Sequence, residues 1–293
     1  MTLALTVLQI TAPVFLLAGI GFVWVRLGHA YDTAFVTRLA MTLAVPALIL
    51  TALAGTDLDP AAVGRLALAT LAAYAAALGL FHLLCRALRL EVRTYLAPLA
   101  FGNTGNLGLP LCLFAFGEAG LALGVVVFAV TAIGSFTLGL WIVAGGGSPL
   151  PALREPMVGA TILGGIMLAL GWELPAVAAN ALGLVGQMAI PLMLITLGVA
   201  VARLRPSGMG RVAGLAATKL VAMTAMGWGM ARAFGLDDVA AGVLILQMAT
   251  PVAVTSYLLA AKYGADAERV AGLVVVSTLM AIAALPALLT VLV

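Results

Sequence analysis

The sequence predicts an all-α membrane protein of ten transmembrane helices, arranged as two inverted five-helix repeats with broken crossover helices 4 and 9. Three observations carry that prediction. The chain is 64% hydrophobic and 9% charged, with a mean hydropathy of +1.22, whereas soluble domains carry about 25% charged residues. Apolar runs of about 20 residues, the length that crosses ~30 Å of hydrocarbon, recur along the chain. Two of those runs are interrupted near their centres by glycine, proline and amide side chains.

Hydropathy, read against glycine, proline and charge punctuation, places the spans near residues 4–25, 34–54, 62–84, 94–116, 120–143, 156–172, 175–202, 209–231, 239–261 and 268–291. Met1 to Ile10 carries no basic segment ahead of its apolar run and no small-residue cleavage pattern, so it reads as the start of the first span. The longest connection runs from Ala144 to Glu155, which leaves no room for a soluble domain. The expected organisation is a first repeat over 1–143, a cytoplasmic linker over 144–155 and a second repeat over 156–293. Trp24, Trp141, Trp172 and Trp228 fall near span ends, where an aromatic belt belongs.

Charge orients the spans. With the N-terminus outside, Arg26, Arg38, Arg86, Arg89, Arg93, Arg154, Arg203, Arg205, Arg211, Lys262 and Arg269 fall in cytoplasmic connections, while only Arg65 and Arg232 fall outside. The acids divide almost evenly, as expected of residues that contribute little to topology. A missed helix would reverse the bias from that point on, so the alternation also supports the count. The expectation is a multi-pass protein of the cell (inner) membrane with both termini extracytoplasmic.

Five is odd, so span 6 runs opposite to span 1 and the topology permits an inverted repeat. Span 2 carries Pro46 and span 7 carries Pro191, each with a polar residue four positions earlier, Thr42 and Gln187. Span 4 carries Pro110 and span 9 carries Pro251. Paired, Gly/Pro-interrupted spans in the two halves point to a secondary transporter and to where its site lies. Pro46 and Pro191 read as kinks.

Spans 4 and 9 differ in kind. The run Gly102-Asn103-Thr104-Gly105-Asn106-Leu107-Gly108-Leu109-Pro110 cannot continue a regular helix, because glycine and proline weaken a helix interior and proline removes a donor. Span 9 has the shorter break Gln247-Met248-Ala249-Thr250-Pro251-Val252, followed by Thr255. Backbone groups freed there must be buried in protein or face a wet cavity. Each proline suits the first position of a second half-helix, with Thr250 as N-cap in span 9. Two half-helix N-termini, at Asn106 to Pro110 and Thr250 to Val252, then meet near the midplane, each with free N–H groups and about half a positive charge. Such a site favours an anion.

Lys219 falls near the middle of span 8, where a lysine is costly unless it faces protein or water. It either satisfies carbonyls freed by the breaks or attracts a substrate carboxylate. Asn103, Asn106, Gln247 and Thr250 either satisfy local backbone or contact ligand. Cys85 and Cys112 lie in apolar surroundings with no metal-ligand spacing and read as packing residues. No HExxH, GxSxG or P-loop occurs, nor paired carboxylates within a span. Neither an enzyme nor a cofactor-dependent protein is expected. The basic residues sit between apolar runs and so report topology, not nucleic-acid binding.

The stretch from Asn103 to Leu111, NTGNLGLPL, and the run from Thr250 to Pro286 resemble the auxin efflux carrier family of membrane transporters, within the bile acid/sodium symporter-like superfamily. The proline segment of span 2, the Pro191 to Gly198 segment and Lys219 add to the match. The resemblance implies a scaffold of helices 1, 2, 6 and 7, a mobile core of helices 3–5 and 8–10, and crossover of helices 4 and 9 at the substrate. It also implies elevator-type movement, often in homodimers joined through the scaffold. Bacterial-type members are associated with malonate, malate or lactate, plant members with auxin. The long hydrophilic central loop of many plant members is missing here.

The expected function is therefore secondary transport of a small mono- or dicarboxylate, with Asn103, Thr104, Asn106, Gly108, Pro110, Lys219, Gln247, Thr250, Pro251, Val252 and Thr255 as the substrate-binding set. The competing reading is a sodium- or proton-coupled symporter or antiporter of related fold. Gln247, Thr250 or Thr255 could serve a sodium ion, but no acid lies deep in a span to relay protons.

Overall fold

Helix follows helix along the computed structural model, which describes residues 3–54, 59–146, 156–204 and 209–293. The first half holds α1 (Leu3–Arg26), α2 (Thr33–Leu39), α3 (Val45–Ala54), α4 (Pro60–Ala87), α5 (Val92–Ala100), α6 (Leu109–Gly134) and α7 (Leu140–Ala144). The second holds α8 (Pro156–Leu170), α9 (Ala176–Gln187), α10 (Ala189–Arg203), α11 (Met209–Ala233), α12 (Asp238–Met248), α13 (Val254–Tyr263) and α14 (Ala267–Leu292). Among the described residues, three π-helical segments, Ala40–Ala44, Thr104–Gly108 and Ser135–Gly139, interrupt or precede the α-helices. The linker residues 147–155, with Arg154 and Glu155, lie outside the described residues, as do Asp57 and Arg205.

Local chemistry accounts for most element ends. Asp32, Asp59, Asp237 and Asp266 each accept a first-turn N–H, of Phe35, Ala61, Ala240 and Arg269, and so cap α2, α4, α12 and α14. Pro46 has no N–H to return to the preceding turn, and the helix ahead of it loosens into the π segment, where Val45 N–H bonds to the Ala40 carbonyl. Pro191 follows a break at Met188 that separates α9 from α10. Both prolines thus mark discontinuities, as their positions predict. Gly117, at φ 67° and ψ −158°, interrupts α6 between the expected spans 4 and 5, a reversal without a loop that favours glycine.

Among the described residues, six stretches are long and apolar enough to cross a membrane: Val7–Arg26, Thr33–Ala54, Pro60–Ala87, Thr104–Ala144, Ala176–Arg203 and Ala267–Leu292. Their outward faces carry large apolar side chains. Leu16, Leu83, Leu184 and Val221 are each about two-thirds exposed, a surface that in water would gather into aggregates and in hydrocarbon is solvated. Hydroxyls inside the spans are satisfied locally, as when Thr70 and Thr131 donate to the carbonyls of Leu66 and Val127 at 2.7 Å. The chain is an α-helical membrane protein.

The helices gather in two sets. α1 lies along α10, and α3 packs on α8 and α9. At the α1–α10 seam, backbone meets backbone. A Cβ added at Gly21 would overlap the Ile195 carbonyl, and one at Gly198 would overlap that of Ala18. The other set packs α4 on α5, α6 and α11, and α12 on α6, α11 and α14. Its interior elements are buried around their whole circumference: residues Thr94 to Ala100 of α5 and Gly242 to Met248 of α12 are all buried, as befits helices with no outward face.

Candidate functional site

The two interrupted spans cross. α5 ends at Ala100, α12 ends at Met248, and the extended links that follow pair as an antiparallel bridge between Gly102 and Val252. Asn103 N–H donates to the Pro251 carbonyl at 2.7 Å, and Val252 N–H donates to Ser277 Oγ at 3.0 Å. Backbone groups freed by one break are thereby met by the other break and by α14. The approach is close enough that a Cβ on Gly102 would overlap Thr250 Oγ1, and one on Gly108 would overlap Gln247 Oε1.

Beyond the crossing each chain turns helical again, at Thr104 and at Val254. Asn103 and Ala253 precede these starts, and neither makes a side-chain capping bond. This corrects the expected starts. Thr250 is no N-cap: its hydroxyl donates to the Gln247 carbonyl at 2.6 Å and closes the end of α12. Pro251 lies in the extended link, ahead of Val254, and the residue before it is driven out of the helical region. Pro110 does sit in the first turn of α6, but the π segment has already begun at Thr104. The free N–H groups therefore centre on Thr104 to Asn106 and on Val254 and Thr255.

These two first turns face a common cavity of about 50 Å³, room for roughly three or four waters. Residues 102–106 form one wall and Ala253, Val254 and Thr255 another. Thr131, Ser135, Phe128 and Phe136 close it from α6 and the π segment beyond, Met41 and Met157 from α2–α3 and α8. All three π segments thus contribute to one cavity, a placement common for such bulges at functional sites. A narrower pocket shares Met41, Asn106, Val254 and Thr255 and continues past the hydroxyls of Thr33, Thr37 and Thr196. Among the described residues, no charged side chain lines either space. Asn103 is 5% exposed, and its Nδ2 has no partner among the described residues. The lining thus offers amide and hydroxyl donors and two helix N-termini, a set suited to carboxylate oxygens.

Of the expected site residues, Asn103, Thr104, Asn106 and Thr255 line this cavity. Gly108, Pro110, Gln247, Thr250, Pro251 and Val252 are buried and frame it from behind. Gln247, fully buried, donates from Nε2 to the Gly124 carbonyl at 3.3 Å and holds α12 to α6. Lys219 stands apart. It is 1% exposed on α11, its Nζ has no hydrogen-bond partner among the described residues, and it is absent from the cavity lining. Sequence reasoning missed Met41, Phe128, Thr131, Ser135, Phe136 and Met157. Thr131 and Ser135, four apart and so on one helix face, were the available signal.

Residues 147–289 match a family described as membrane transport protein. An uncharacterized transporter of Methanothermobacter thermautotrophicus (strain Delta H) is 27% identical over 194 residues, 64% of this chain and 64% of that protein. A protein of Rhizobium meliloti whose assigned name proposes malonate transport is 25% identical over 206 residues, 65% of this chain and 64% of that protein. An uncharacterized transporter of Methanocaldococcus jannaschii is 25% identical over 193 residues, 60% of this chain and 61% of its own length. The chain spans a little under two thirds of the length of these relatives. The relatives carry transporter names, and residues 147–289 are similar to the membrane transport protein family, in keeping with the resemblance of the span 4 and span 9 motifs to auxin efflux carriers.

Proposed function

We propose that this protein is a secondary transporter of a small organic anion, a mono- or dicarboxylate such as malonate, working by alternating access. The observation that carries the reading is the pair of uncapped helix starts, at Thr104 and Val254, that face one donor-lined cavity across the Gly102–Val252 bridge. Binding by fixed backbone dipoles suits cargo that must also leave, because no buried countercharge has to be abandoned. The name of the Rhizobium meliloti relative makes malonate the first candidate.

In this reading ten crossings form two inverted repeats, 1–143 and 156–293. The packing supports it: α1 on α10 and α8 on α3 are one relation read from each half, since exchanging the repeats turns spans 1 and 7 into spans 6 and 2. Spans 1, 2, 6 and 7 form the scaffold, a surface on which two copies could join, and spans 3–5 and 8–10 carry the site in an elevator-type movement. Lys219, inside the core set, adds positive potential without lining the cavity. The protein then sits in the cell membrane with both termini outside, as the basic residues favour.

Uptake of labelled malonate, malate and lactate into vesicles bearing the purified protein tests the proposal. Saturable uptake of one carboxylate supports it, and no uptake of any under imposed sodium, proton or substrate gradients overturns it. Repeating the assay with and without sodium, and across pH, identifies the coupling ion.

A further inference from the structure

Away from the breaks, a cleft of about 220 Å³ opens between α1, α10 and α14. Its walls are mostly alkyl and aromatic, with Val14 and Phe22 from α1, Leu197 and Val201 from α10, and Leu279 and Ile282 from α14, and Thr278 adds one hydroxyl. Phe22, Leu279 and Ile282 are 39%, 55% and 45% exposed, so the cleft opens on the outer face of membrane-crossing helices. From Val14 to Phe22 is about 12 Å along the helix, and Arg26 ends α1 about 18 Å from Val14, at 1.5 Å per residue. One leaflet of hydrocarbon is about 15 Å deep. The Arg26 guanidinium stands over the ring of Phe22, a cleft-lining residue, 5.8 Å from its centre. Arg26 is exposed, and the ion pair found among the described residues, Arg269 with Asp266, does not involve it.

We propose that this cleft is a lipid site that holds one acyl chain of an anionic phospholipid, with the phosphate drawn to Arg26. A chain of one leaflet's length fills the apolar walls, and the headgroup then lies at the depth of a cation that pairs with no carboxylate among the described residues. A zwitterionic lipid would fit the cleft but gain less at its mouth. The proposal rests on α1 and α14 crossing the membrane and not on the transported cargo, so a failed lipid test leaves the transport reading untouched.

Gly19 lines the cleft, and a Cβ placed there meets nothing within 4 Å. Gly19→Leu therefore fills the space while favouring the helix. Native mass spectrometry of the full chain, released from micelles doped with dioleoyl phosphatidylglycerol or dioleoyl phosphatidylcholine, reads the retained lipid. The unaltered protein is expected to retain the anionic lipid about fivefold more than the zwitterionic one. Arg26→Gln should level the two, and Gly19→Leu should retain neither at an unchanged melting temperature. Should Gly19→Leu melt early, Ile282→Trp, on the exposed lip, takes its place. Equal retention of both lipids by the unaltered protein, or undiminished phosphatidylglycerol on a folded, cleft-filled variant, overturns the proposal.

Discussion

The backbone N–H of Asn103 donates to the carbonyl of Pro251 across 2.7 Å, joining residues 148 positions apart where the two interrupted helices cross. That bond occupies the Asn103 backbone donor and leaves its side-chain amide buried and open toward the cavity. A hydrogen bond from such a donor to a carboxylate contributes about 1.5–3 kcal/mol, or roughly 10–150-fold in affinity. Asn103→Ala is expected to cut vesicle uptake of labelled carboxylate at least tenfold while the melting temperature stays within a few degrees. Asn103→Asp should abolish uptake by setting a like charge against the substrate.

Gly102 leaves space that the Thr250 hydroxyl uses. Gly102→Ala is expected to destabilise the folded protein by about 1–3 kcal/mol, the usual cost of overpacking. Adding Thr250→Ala removes the obstructing atom, so the double variant should melt above Gly102→Ala alone. Additive losses in a thermal-melt cycle would show that the two residues do not share that space.

Arg93 ties two helix ends together. Its Nε donates to the Val143 carbonyl at 3.1 Å, and a terminal nitrogen donates to the Tyr263 carbonyl at 2.9 Å, where α7 and α13 each end ahead of a left-handed glycine, Gly145 or Gly264. Charge and donors fall where helix dipoles are negative. A lysine has the charge but not the fork. Arg93→Lys should lower the melting temperature and Arg93→Ala lower it further, with uptake per folded molecule unchanged for Arg93→Lys.

Lys219 separates stability from transport. An unpartnered buried amine costs stability, so Lys219→Met, apolar and of similar length, should melt at or above the unaltered protein. If the amine supplies potential to the cavity, the same variant loses at least tenfold in uptake. Full uptake by Lys219→Met would remove the lysine from the mechanism.

How far the sequence carried depended on which physics was local. Gly102 to Pro110 and Thr250-Pro251 announced breaks because proline and clustered glycine act on the helix that contains them. Gly117 was not singled out, although it falls in the gap between the expected spans 4 and 5. The half-helix starts were misplaced because the cap and proline preferences of an isolated helix were overridden by a distant partner. The 102–252 bridge holds Pro251 to Ala253 extended, so the Thr250 hydroxyl turns back to Gln247 instead of forward. The π segments and Met41 had no periodic signature. Lys219 was noticed through its cost, but only packing fixes where its amine lies.

The contact of Gly21 with Ile195 and of Gly198 with Ala18 limits how the molecule can deform. Helices that touch through long side chains slip past one another by swapping rotamers. Two backbones in direct contact are geared like meshed teeth, and a shift of even one residue's rise, about 1.5 Å, drives Cα into carbonyl. α1 and α10 must therefore keep their register through any working cycle, and sliding, if the protein slides, has to happen along seams where glycine does not meet bare backbone.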